Sequence, residues 1–113
     1  MSHKGWIGVD LDGTLAEYHG WDNGKIGAPI PKMADRVKRW IAAEVEVRIL
    51  TARVSGPLLD AQPMEFAIKD WCAEHLGCWL PVTCRKDYAM IELWDDRAIQ
   101  VVPNTGDRVD GED

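Results

Sequence analysis

The sequence predicts an α/β fold: a mostly parallel, three-layer, Rossmann-like sheet with helices on both faces. Three observations lead there. Short apolar runs bounded by turn residues alternate with longer stretches of helical period. Strands that alternate with helices imply parallel pairing and a sheet covered on both sides. Finally, each apolar run ends in polar or charged residues, as strands do when their carboxyl ends feed one ligand-binding rim.

The elements follow in order. "GWIGVD" (5–10) is short and apolar and reads as a buried first strand. "PKMADRVKRWIAAE" (31–44) puts Met33, Val37, Trp40 and Ile41 on one helical face, and Pro31 suits a first turn. "VEVRILTA" (45–52) reads as a second strand. "PMEFAIKDWCAEHLG" (63–77) reads as a second helix, with Met64, Ile68, Trp71 and Cys72 inward and Gly77 as its stop. "WLPVTC" (79–84) and "AMIELW" (89–94) are the third and fourth strands, and "IQVV" (99–102) is a candidate fifth. The acidic stretch 104–113 reads as a flexible tail, leaving 1–103 as one domain.

Composition narrows the classes. A chain of 113 residues, 46% hydrophobic and 28% charged, suits one globular core. No apolar stretch approaches the roughly eighteen residues of a membrane span. "MSHKGW" has no apolar leader core, so a cytoplasmic protein without membrane contact is expected. The net charge of -6 argues against a polynucleotide partner. The three cysteines, Cys72, Cys78 and Cys84, make no disulfide framework. A zinc site is not expected either: Cys78 and Cys84 flank a strand and stand about 20 Å apart.

The strand ends carry the chemistry. The first delivers Asp10, Asp12, Gly13 and Thr14, and the second Thr51, Ala52 and Arg53. The third delivers Arg85 and Lys86, and the fourth Asp95, Asp96 and Arg97. Two aspartates two apart at a strand end repel each other. A cation between Asp10 and an acid of the Asp95–Asp96 pair would cancel that repulsion. Oxygen-only donors make Mg²⁺ the expected ion. Gly13 lets the backbone approach an anion. A calcium-loop reading fails, because the sixth position from Asp10 is Leu15 and the twelfth is Trp21. By chance, D-x-D-G-T after an apolar strand should arise in about one chain per thousand or fewer. Thr51 has a bland reading as a β-branched strand residue, Asp95–Asp96 as a solvated turn, and Arg53 and Arg97 as surface ion-pair partners.

The set "DLDGTL", "ILTAR", Lys86 in "CRKD" and "ELWDDRA" resembles the four motifs of the haloacid dehalogenase (HAD) superfamily, over roughly residues 5–102. "DDRA" is similar to small phage- and bacterial-type members. The resemblance implies Asp10 as nucleophile and Asp12 as general acid and then base. It implies Thr51 and Lys86 at the phosphoryl group. It implies a Mg²⁺ site of Asp10, the Asp12 carbonyl and Asp95, with Asp96 assisting. Donation by Asp12 would need a carboxyl held above the usual carboxylate range.

Lys86 sits awkwardly. Only four or five residues join the third and fourth strands, spanning at most about 17 Å. In the family's sheet order those strands lie about 14 Å apart laterally. The third strand must therefore be stunted or displaced, and Arg85 is the alternative to Lys86. Neither gap between motifs has room for an inserted cap domain. The flap near "YHGWDNGKIG" (18–27) must cover the site, alone or with a neighbouring subunit of a homo-oligomer. Of the six tryptophans, Trp6, Trp40, Trp71 and Trp79 fit core positions. Trp21 falls in the flap, where it would stack on a base or sugar or else plug the core. Gly13, Thr14, Ala52, Arg53 and Trp21 are thus the substrate-binding candidates. Leu58 and Leu59, in loop 54–62, are candidates for the cavity mouth or a subunit contact.

The expectation is a Mg²⁺-dependent phosphohydrolase acting on a small phosphomonoester, a nucleotide among the candidates, through an aspartyl-phosphate. The alternatives are a catalytically silent phosphate-binding or scaffold module and a nucleic-acid end phosphatase.

Overall fold

The computed structural model describes residues 5–112. Its elements are β1 (Trp6–Val9), α1 (Pro31–Ala42), β2 (Glu46–Leu50), a 3₁₀ turn (Ala52–Val54), α2 (Leu58–Leu76), β3 (Val82–Thr83) and β4 (Met90–Trp94). The four strands form one parallel sheet in the order β3-β2-β1-β4. No helix among the described residues is long and apolar enough to cross a membrane.

β1 lies at the centre, and all four of its residues are buried. Ile7 and Val9, with Val47 and Ile49 of β2, point at Met33 and Val37 of α1 and at Ile68 and Cys72 of α2. One core therefore joins the sheet to both helices, and α1 and α2 touch each other. This corrects the expected three layers. From β1 to β2 to β3 the chain steps in one direction across the sheet. Right-handed crossovers then deliver both helices to the same face.

The opposite face is covered by side chains of the sheet itself. The Trp6 ring is fully buried there. It lies across Gly8, where a Cβ would meet the ring at 3.2 Å. Arg48 stacks over the indole at 4.5 Å, and the ring N–H donates to Asp87 at 2.8 Å. Ile91 and Leu93 of β4 stay half exposed.

α1 starts at Pro31, as expected, and packs Trp40 edge-on against Trp94 at 5.3 Å. α2 begins five residues before the expected Pro63, which lies inside the helix. Its start is set by Pro57, whose carbonyl accepts from the N–H groups of Asp60 and Ala61. Leu58 and Leu59 are thus first-turn helix residues, 73% and 90% exposed. α2 ends at Gly77, whose φ of 90° is the left-handed stop that glycine allows.

The third strand is stunted, as the short link to β4 requires: β3 has two residues. Trp79, expected in the core, is 60% exposed because the chain before β3 is irregular. The candidate fifth strand does not join the sheet. Val101 instead bridges antiparallel to Arg108, and Val109 donates to the Gln100 carbonyl at 2.9 Å. The stretch expected to be a flexible tail thus folds back on itself as far as Val109. No domain is inserted between the strand ends. Residues 17–28 form the flap, closed at its base where Glu17 donates to the Ala28 carbonyl at 2.8 Å. Trp71 of α2 holds the flap through a 3.0 Å bond from its ring N–H to the Gly27 carbonyl.

Candidate active site

Register brings the acids together. Val9 pairs with Ile49 on one side and Trp94 on the other. The next residues along are therefore Asp10, then Leu50 leading into Thr51, and Asp95. Asp10 fixes this alignment by donating its N–H to the Trp94 carbonyl at 2.9 Å. The loop after β1 is tight. Leu15 and Ala16 both donate to the Leu11 carbonyl, and Gly13 donates to that of Ala16. This turn sends Asp12 back over the strand ends.

Asp10, Asp95 and Asp96 each present a carboxylate oxygen within 4.8 Å of the other two. Of the described residues, these are the ones that group three metal-ligating side chains. Thr14 braces them. Its hydroxyl accepts the Asp96 N–H at 2.9 Å and lies 3.1 Å from a carboxylate oxygen of the same residue. Gly13 makes the approach possible: its φ is +86°, and a Cβ there would stand 2.5 Å from Asp96 Oδ2. Asp95 accepts the Arg97 N–H at 2.7 Å.

Crowding shows in the protons. The Asp10 carboxyl is pushed up from 3.8 to about 7. Burial is the main cause, followed by the hydrogen bond with Asp96, then the charges of Asp95, Asp96 and Asp12. Asp10 is the acid with the most carboxylate neighbours: Asp95, Asp96 and Asp12.

Asp12 has a different partner. Arg53 binds both its oxygens, Nε to Oδ2 at 2.7 Å and Nη2 to Oδ1 at 2.8 Å. The same guanidinium donates to the Gly24 carbonyl at 2.9 Å and lies 4.9 Å over the Trp21 ring. Its side chain is 5% exposed. One arginine thus ties the loop after β1, the 3₁₀ turn and the flap. Thr51 is buried, and its hydroxyl oxygen accepts the Arg53 N–H at 3.1 Å, capping the 3₁₀ turn.

These groups line one cavity of about 840 Å³: Asp10, Asp12, Thr51, Ala52, Arg53, Asp95 and Asp96, with Trp21 of the flap. Four expected residues are placed elsewhere. Lys86 is exposed and does not line the cavity, nor does Arg85. With β3 only two residues long, the chain turns away at Cys84, which takes the place at the cavity wall. Gly13 and Thr14 line a neighbouring shallow cavity, where Thr14 braces Asp96. The cations at the cavity are Arg53 and Arg97. Tyr18, Ser55 and Ala98 also line it and carried no sequence signal of their own beyond their nearness to motif residues. Cys72 is in the core with its thiol pushed up to about 12, chiefly by burial, while Cys84 lies at the cavity. No family model, curated protein or solved structure matches the chain.

Proposed function

We propose that the protein is a Mg²⁺-dependent phosphohydrolase of the HAD type that cleaves a phosphomonoester through an aspartyl-phosphate. One observation carries this reading: three carboxylates from two adjacent strand ends crowd within 4.8 Å at the wall of a cavity that also holds Asp12, Thr51 and Arg53. Bare carboxylates in that arrangement repel one another, which favours a cation among them. The donor set is all oxygen and fits a hard ion such as Mg²⁺, held by Asp10, Asp95 and Asp96. When bound, it would offset charge on the acids and on the phosphoryl oxygens.

The chain's own groups supply the rest. An Asp10 oxygen attacks phosphorus, the P–O bond to the alcohol breaks, and the leaving oxygen takes a proton from Asp12. Water then attacks phosphorus and gives its proton to Asp12. The Asp10–phosphorus bond breaks, and inorganic phosphate leaves. Thr51, its oxygen accepting from Arg53, keeps its hydroxyl proton for a phosphoryl oxygen. In the resting arrangement both oxygens of Asp12 are held by Arg53, so donation requires that pair to open. A phosphoryl group is the natural competitor, since the guanidinium fork matches phosphate oxygens as well as a carboxylate.

The position of Lys86 outside the cavity favours a second reading, a phosphate-binding module without turnover. Phosphate release from a panel of nucleotides, sugar phosphates and phosphorylated DNA ends, with Mg²⁺ and with EDTA, separates the two. The first reading expects release that EDTA and Asp10→Asn both abolish. Release that survives thorough chelation would refute the metal role. Silence across the panel, with no shift in melting from Mg²⁺ and beryllofluoride, would refute catalysis.

A further inference from the structure

We infer that the cavity takes a free nucleoside monophosphate, with the base stacked on Trp21; this rests on the phosphohydrolase reading above. The acids, Thr51 and Arg53 account for a phosphate at one end. The remaining wall includes two aromatic rings, Tyr18 and Trp21. Tyr18 and Trp21 are 45% and 62% exposed, whereas Trp6 and Trp71 are buried. Both rings line the acid-bearing cavity and an adjoining one of about 430 Å³ that the flap forms by itself. An indole this exposed gains nothing from the core, so the plug reading of Trp21 does not hold.

Its position is nevertheless fixed. Arg53 covers one ring face at 4.9 Å and is itself held by Asp12 and the Gly24 carbonyl. With 62% of its surface exposed, Trp21 still offers area to a planar group. In the resting arrangement one side chain holds both the indole and Asp12, which keeps the stacking wall beside the acids. A sugar phosphate would leave that wall wet, and a purine would cover it. Together the two cavities suit a small molecule. The net charge of -6 disfavours a long polyanion.

The test is calorimetric binding to full-length Asp10→Asn protein with Mg²⁺, which holds the phosphoester uncleaved. The probes are adenosine 5′-monophosphate, ribose 5-phosphate and a 5′-phosphorylated trinucleotide. The nucleotide should bind about tenfold or more tighter than ribose 5-phosphate, the usual worth of one stacked base. Adding Trp21→Ala should bring that ratio near one, while Trp21→Phe should keep most of it. Equal affinities, or a ratio that survives Trp21→Ala, would overturn the proposal. So would no nucleotide binding up to millimolar concentration. A trinucleotide that binds tighter than the mononucleotide would overturn the assignment to a free nucleotide. Base-dependent binding without phosphate release by the wild-type protein would keep the stacking site and refute the phosphohydrolase reading. Equal affinities with brisk phosphate release would do the reverse.

Discussion

Removing the Asp10 charge should stabilise the metal-free protein, and only above mildly acid pH. The folded Asp10 carboxyl lies at about 7 and its ordinary value is 3.8. Between those values the folded chain keeps a proton that the unfolded chain has lost. Stability therefore falls as pH rises through this window and levels off above about pH 7. Taken whole, the spread from 3.8 to about 7 corresponds to about 4 kcal/mol. Asp10 is only half-buried, and water screens its neighbours, so about 1–2 kcal/mol is the realistic penalty. Asp10→Asn stays neutral at every pH, fits the same space and can still donate to Asp96. In EDTA at about pH 8 the variant should be more stable by that amount, or about 5–10 °C in melting temperature for a chain of this size. The gain should shrink as pH falls and vanish near pH 4. Urea titrations at several pH values measure it directly. A variant no more stable at pH 8, or a gain independent of pH, would refute the account of crowded carboxylates.

Other expectations follow from the same geometry. Mg²⁺ must displace the Asp10 proton, so its affinity should weaken toward tenfold per pH unit below about pH 7; calorimetry at pH 5.5, 6.5 and 7.5 checks this, and a flat profile would exclude Asp10 as a ligand. Gly13→Ala forces a Cβ against Asp96 in a left-handed turn. It should cost about 1–2 kcal/mol in urea unfolding and weaken Mg²⁺ binding; normal metal affinity in that variant would mean Asp96 is not needed. Lys86→Ala should leave phosphate release within about twofold, whereas Arg53→Ala should lower kcat/KM by about a hundredfold, the typical worth of a charge-stabilising donor. The opposite ranking in steady-state assays would return the third-motif role to Lys86.

Much of the fold was legible because its signals are local. Pro31 and Gly77 punctuate α1 and α2 where the structure does, and the buried strands read from apolar runs. The acids at the rim were legible from Asp10, Asp95 and Asp96 because parallel strands put their carboxyl ends together. What escaped depends on direction in space. Nothing in a helical period says which sheet face a crossover takes, so the second layer of helices was expected and is missing among the described residues. Pro63 looked like a helix start because proline suits a first turn, yet one lost N–H is tolerated a turn further in. The pairing of Arg53 with Asp12 joins residues that read separately as a substrate contact and an acid. Only the packed loops bring them within 2.7 Å. Lys86 lies outside the cavity for the reason that makes it awkward in the sequence. The link from β3 to β4 is too short to deliver a side chain to the rim and also cross the sheet.

β4 lies at an edge of the sheet. The central β1–β2 pair and both helices share the core, whereas β4 pairs with β1 alone and exposes Ile91 and Leu93. Two of the three clustered acids arrive with this outermost strand. Edge elements open by local fluctuation at free energies well below that of global unfolding. Each such opening, which would break the bond from the Asp10 N–H to the Trp94 carbonyl, separates Asp95 and Asp96 from Asp10 while the core stays intact. Amide exchange at β4 would therefore report the lifetime of the assembled acid cluster, and a cation bridging the two strands would lengthen it as a clasp does.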